Sequence, residues 1–112
     1  MKYIIPQDKL DKVISKYLDI NLNGLVKIKA HHYHGIIIGY PNQSLGFFGW
    51  KSDNNVLFIF AGVLDEIASN FGLDMYTYNI ESAVGKWVSN KFQLEVDKIQ
   101  VRYTMEPFFI HR

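Results

Sequence analysis

The hydrophobic period of this chain changes twice, and the two changes bound the folds open to it. Leu10, Val13, Ile14, Tyr17 and Leu18 recur at helical spacing on one face, with Asp8, Asp11, Lys12, Lys16 and Asp19 on the other. Asp8 and Lys12 are spaced to pair across one turn. Pro6 and Gln7 mark the start, because the N–H that proline lacks would have no partner there. Asn23-Gly24 closes the segment with a residue that tolerates positive φ.

From Leu25 to Phe60 the pattern becomes that of strands. Val26, Ile28 and Ala30 alternate with Lys27, Lys29 and His31, which predicts a half-buried strand with the first set inward. Ile36–Tyr40, Leu45–Trp50 and Val56–Ile59 supply three more, separated by Pro41-Asn42-Gln43-Ser44 and Ser52-Asp53-Asn54-Asn55. Loops this short, built from turn residues, predict an antiparallel meander.

Helical spacing then returns. Phe60, Val63, Leu64, Ile67, Ala68 and Phe71 share a face, and Gly72 falls where a left-handed C-terminal residue is wanted. Beyond the connector Met75-Tyr76-Thr77-Tyr78, Asn79 is expected to cap a third helix with the face Ile80, Ala83, Val84, Trp87, Val88 and Phe92. Glu81 suits the positive N-terminal end of that helix. Gly85 within it costs about 1 kcal/mol relative to alanine, which predicts a close contact at that point. A strand over Ile99–Tyr103 follows, and Glu106-Pro107 separates it from a last short strand over Phe108–His111.

The expected fold is therefore α+β. An N-terminal helix, an antiparallel β-meander, two consecutive helices and one or two C-terminal strands form one sheet with helices packed on one face. Residues 1–112 fit a single domain, since no linker, repeat or low-complexity tract divides them.

Several function classes fall away on composition. The chain has no cysteine, which removes disulfides, thiolate nucleophiles and zinc–thiolate sites. Its formal net charge of +1 gives no global attraction for polyanions, so nucleic acid is disfavoured as a partner. The apolar run Val56–Leu64 is too short to span a bilayer, and the N-terminus turns charged at Asp8 and Lys9, too early for a signal-peptide core. A cytoplasmic location is expected, with no membrane association. No P-loop, dinucleotide glycine fingerprint, nucleophile elbow or metalloprotease helix is present, and no cofactor is expected.

Three groups of residues carry the functional expectations. Aromatic residues make up 15% of the chain, and rings dominate protein interfaces as well as cores. Trp50, Phe47, Tyr76 and Tyr78 are the candidates for an exposed interaction patch. Lys27, Lys29, His31 and Tyr33 share one face of the first strand and could bind single-stranded nucleic acid by charge and stacking. Lys98 and Arg102 form a second basic stripe. His32 and His34, at i and i+2, could point at one metal ion, although a catalytic site would need a third ligand.

Met1-Lys2-Tyr3-Ile4-Ile5-Pro6, Leu10-Asp11-Lys12-Val13-Ile14, Lys16-Tyr17-Leu18 and Gly85-Lys86-Trp87-Val88, with the strand-to-helix run ending in Val63–Phe71, together resemble short uncharacterised proteins from marine phages and marine environmental sequences. The resemblance implies a viral or environmental origin and no activity, and it carries over no functional residue. The expected function is that of a non-enzymatic accessory protein that binds another protein or a second copy of itself. Single-stranded nucleic-acid binding on the sheet face and a histidine-based metal-dependent enzyme are the alternatives.

Overall fold

Helices and strands form where the period changes place them. The computed structural model describes residues 5–31, 33–74 and 78–110. Along them run α1 (Gln7–Asn21), β1 (Val26–Lys29), β2 (Gly35–Gly39), β3 (Phe48–Lys51), β4 (Val56–Phe60), α2 (Ala61–Phe71), α3 (Ile80–Phe92) and β5 (Lys98–Arg102), with a 3₁₀ turn at Glu106–Phe108. The helix ends follow local chemistry. Pro6 precedes α1 and its carbonyl accepts the Leu10 N–H at 2.9 Å. Gly72 ends α2 at φ 63°. The Asn79 side-chain oxygen accepts the Ser82 N–H at 3.0 Å, so α3 is capped as its sequence predicts. The pair Asp8–Lys12 does not form; Asp11 instead takes the Gln7 amide at 2.8 Å and the Lys86 ammonium at 2.7 Å. An exposed i,i+4 pair is worth only a few tenths of a kcal/mol, too little to hold two solvated side chains together.

The strands lie in the order β1-β2-β3-β4-β5, antiparallel from β1 to β4. β5 joins β4 in parallel, with Val56 opposite Lys98 and Phe60 opposite Arg102. The sheet is therefore mixed, because α2 and α3 form the long crossover that parallel neighbours require. Register sorts the side chains into two faces. Ile36, Ile38, Phe48, Trp50, Leu57, Ile59, Ile99 and Val101 meet Leu10, Ile14 and Leu18 of α1, Leu64 and Ile67 of α2, and Val84 and Val88 of α3 in one core. Gly85 lies against β5, where a Cβ would come within 2.5 Å of Ile99 Cδ1, so the glycine sets a close helix–sheet approach. α1 rests on α3, and the buried Trp87 donates its indole N–H to Asp19 Oδ1 at 2.8 Å.

Among the described residues no α-helix packs on the opposite face of the sheet, which is partly covered by the segment after β5. Phe108, wholly buried, packs on Val56 and Phe58, while Ile110 packs on Ala30 and Ile37. The predicted strand over Phe108–His111 is not regular: its first residue ends a 3₁₀ turn, and Phe109 makes one bridge to Leu45. Pro107 explains this, since its fixed φ favours a turn and it has no N–H to give a ladder. His111 lies outside the described residues. The same pairing shortens the third strand, which was expected from Leu45 but begins at Phe48. Gly46 donates to the Phe108 carbonyl at 2.8 Å and Ile110 to that of Ser44 at 2.8 Å, so Leu45 and Gly46 leave the sheet to hold the tail.

The faces of β1 are the reverse of those expected. Lys27 is opposite Ile38 and Lys29 opposite Ile36, so both lysines lie on the helix-bearing face, while Ile28 and Ala30 face the C-terminal tail. The Lys27 ammonium donates to the Phe92 carbonyl at 3.2 Å, at the negative end of α3. β1 alternates as its sequence says, but its apolar side is buried by a segment some eighty residues later in the chain.

Candidate functional site

The helix-free face is only partly filled, and what remains open is a groove of about 670 Å³. β3, β4 and β5 form its floor. The period of two places Lys51 beside Val56 and Lys98, then Gly49 beside Phe58 and Gln100, then Phe60 beside Arg102. A strip of β4 apolar residues is thus flanked by cations on both neighbouring strands. The groove is lined by Tyr33, Lys51, Phe58, Arg102, Thr104, Glu106, Pro107 and Phe109.

Tyr33 forms its back wall. The ring meets Phe58 edge-on at 5.8 Å and its hydroxyl donates to the Pro107 carbonyl at 3.0 Å. Burial pushes its phenol up to about 12. Only glycine fits beneath it, since a Cβ on Gly49 would lie 2.5 Å from the Tyr33 hydroxyl. The Arg102 guanidinium lies 4.9 Å from the centre of the Phe58 ring and donates to Gln100 Oε1 at 2.9 Å. That arrangement covers Phe58 while leaving the charge toward solvent. Among the described residues the ion pairs are Asp11–Lys86 and Asp19–Lys91, so Lys51, Lys98 and Arg102 have no carboxylate partner. Asp97, next to β5, takes the Asn55 amide instead, at 3.1 Å.

The segment that leaves β5 along this groove is unusually apolar for its exposure. Tyr103 is 82% exposed, Met105 50% and Phe109 42%. A groove with two cations, aromatic walls and one carboxylate, Glu106, suits a ligand that is apolar along part of its length and negative elsewhere.

The residues expected to form an aromatic patch are not gathered together. Trp50 is on the helix side of the sheet, half-buried, with its indole N–H donated to the Glu95 carbonyl at 2.8 Å, beyond the C-terminal end of α3. Tyr78 precedes the N-terminus of α3 and packs on the core, so the length of that helix, about 20 Å, separates the two. Phe47 is half-buried against the core and meets Tyr40 edge-on at 5.7 Å. Tyr76 lies outside the described residues.

Of the nucleic-acid set, Lys29, His31 and Tyr33 border one recess at the β1–β2 turn although they come from different faces, and Lys27 lies apart from it. Lys27 and Lys29 lie on the helix side and Tyr33 on the other face. Exposed His31 and His34 line a shallow recess of about 450 Å³ with Lys29, Tyr33 and Ser52, and the His34 carbonyl accepts from Ser52 N and Oγ, each at 2.8 Å. His32 lies outside the described residues, and among those described no group of three His, Cys, Asp or Glu side chains could hold a metal ion. No helix among them is long and apolar enough to cross a membrane.

A second concavity lies between α1 and α3, lined by Lys12, Lys16, Lys86 and Lys91 with Asp11 and Asp19. Both aspartates are engaged, Asp11 with Lys86 and Asp19 with Trp87 and, at 3.9 Å, Lys91. It is the polar seam of two packed helices.

Sequence reasoning marked Tyr33, Lys98 and Arg102 but missed Phe109 and Tyr103. The missed signal was the clustering of Tyr103, Met105, Phe108 and Phe109 about a proline, in a stretch with no helical period to bury them all. Comparison with protein-family models, curated proteins and solved structures found no match for this chain.

Proposed function

We propose that the chain is a non-enzymatic accessory protein that binds another protein through the groove on its helix-free sheet face. The observation that supports this reading most is the exposure of Tyr103, Met105 and Phe109 on the segment bordering that groove. Large apolar side chains grouped in water mark contact surfaces far more than single ones do. Cations without carboxylate partners beside them supply the polar rim that interfaces use for orientation. The binding residues of this reading are Phe109, Arg102 and Lys51 in the groove, with exposed Tyr103 on the segment that borders it, rather than Trp50, Phe47 and Tyr78.

Selection from a random-peptide display library tests it, with a Tyr103→Ser/Phe109→Ser variant as counter-screen. Enriched peptides should bind the wild-type chain and lose at least about tenfold in affinity on the variant. Peptides that bind both alike, or no enrichment, would refute the groove as a docking surface.

A further inference from the structure

The groove is bordered by an open strand edge. Among the described residues β5 ends the sheet order, so alternate residues along its outer side present backbone N–H and C=O groups with no described strand beside them. Its side chains divide cleanly by face. Lys98, Gln100 and Arg102 lie on the helix-free face, in register with Val56, Phe58 and Phe60. Half-buried Ile99 and Val101 lie on the core face, in register with Leu57 and Ile59.

A strand added to this edge would place alternate side chains beside Lys98 and Arg102 and the others beside Ile99 and Val101. The edge therefore favours a segment of the opposite pattern, with carboxylates at every second position and apolar residues between. A second copy of this strand fits poorly. Antiparallel pairing of two β5 strands about Gln100 sets Lys98 of each opposite Arg102 of the other, and like charges directly opposite destabilise a ladder. Neither cation has an ion-pair partner among the described residues, so an incoming carboxylate would displace none.

We propose that the occupant is an extended acidic segment of another protein, which adds to the sheet as a strand beside β5. Its acidic side chains meet Lys98 and Arg102, and its apolar ones extend the core face at Ile99 and Val101. This inference rests on the docking reading of the same side of the molecule and goes further by naming the partner's chemistry and mode.

The test is titration of the full chain with a short synthetic peptide alternating glutamate and valine, followed by amide hydrogen exchange. A lysine–valine peptide and oligothymidylate serve as controls. The glutamate peptide should bind, protect amides of residues 98–102, and weaken as salt is raised. A Lys98→Gln/Arg102→Gln variant with an unchanged unfolding midpoint should bind it at least about tenfold more weakly. A Lys98→Glu/Arg102→Glu variant should prefer the lysine peptide. No binding of the glutamate peptide, equal binding of both peptides, or protection away from β5 would overturn the inference. So would preferential binding of oligothymidylate, or self-association that protects β5 without peptide. If the acidic peptide fails while display-selected peptides still require Tyr103 and Phe109, the strand-addition inference falls and the docking surface stands; if both fail, both fall.

Discussion

The Tyr33 hydroxyl donates to the Pro107 carbonyl at 3.0 Å, joining the β1–β2 loop to a segment 74 residues away. This contact holds the C-terminal turn on the helix-free face and fixes one wall of the groove. Tyr33→Phe removes the donor and leaves a half-buried carbonyl without it. A loss of about 1 kcal/mol is expected, read as a lower urea midpoint with an unchanged slope.

The same residue gives a pH dependence. Its folded pKa, about 12, is raised from 10.0 by burial. Above pH 10 the unfolded chain releases the phenolic proton while the folded chain retains it, so the unfolded state binds fewer protons and stability falls as pH rises through that window. Below pH 10 the contribution is fully present. Urea unfolding across this range should show a steeper loss for wild type than for Tyr33→Phe.

Gly49→Ala should be disruptive although alanine suits a strand better. Its Cβ would lie 2.5 Å from the Tyr33 hydroxyl and 3.3 Å from Phe58 Cδ2. A cost of about 1–3 kcal/mol is expected from overpacking. Combined with Tyr33→Phe the cost should be less than additive, because removing the hydroxyl relieves the clash; a double-mutant cycle by chemical denaturation measures this.

Phe108 is wholly buried on Val56 and Phe58. Phe108→Ala should cost about 3–5 kcal/mol, the range for removing a core aromatic. Thermal unfolding checks it, and a cost near zero would mean that the tail is not part of the folded core.

Trp87 links α3 to α1 through Asp19 at 2.8 Å. Asp19→Ala leaves the buried indole N–H without that acceptor and should lower stability by about 1–2 kcal/mol, whereas Asp19→Asn, which retains an acceptor oxygen, should cost less. Equal losses by calorimetry would assign the effect to charge rather than to the hydrogen bond.

Much of this fold is legible in the sequence because the information is local. Leu10, Ile14 and Leu18 declare α1 by spacing, Asn79 and Gly72 mark helix ends, and Asn- and Gly-rich turns announce the meander. The parallel entry of β5 and the reversal of faces in β1 are not local. Val26, Ile28 and Ala30 look inward by alternation, yet which face receives which cover depends on Ile110, far away in the chain. The site suffered most from this. Trp50 and Tyr78 look like neighbours in composition but lie at opposite ends of α3. Phe109 joins the wall of the groove only because Pro107 turns the tail and Phe108 takes the buried place beside Phe58.

The central claim is that the helix-free face between Tyr33 and Phe109 is where this chain meets a partner. Hydrogen–deuterium exchange of the wild-type chain with a display-selected peptide tests it most directly. Protection confined to residues 98–110 and the neighbouring end of β3 at Lys51 is the predicted result. Protection centred on the α1–α3 seam, or around Trp50 and Glu95, would contradict it.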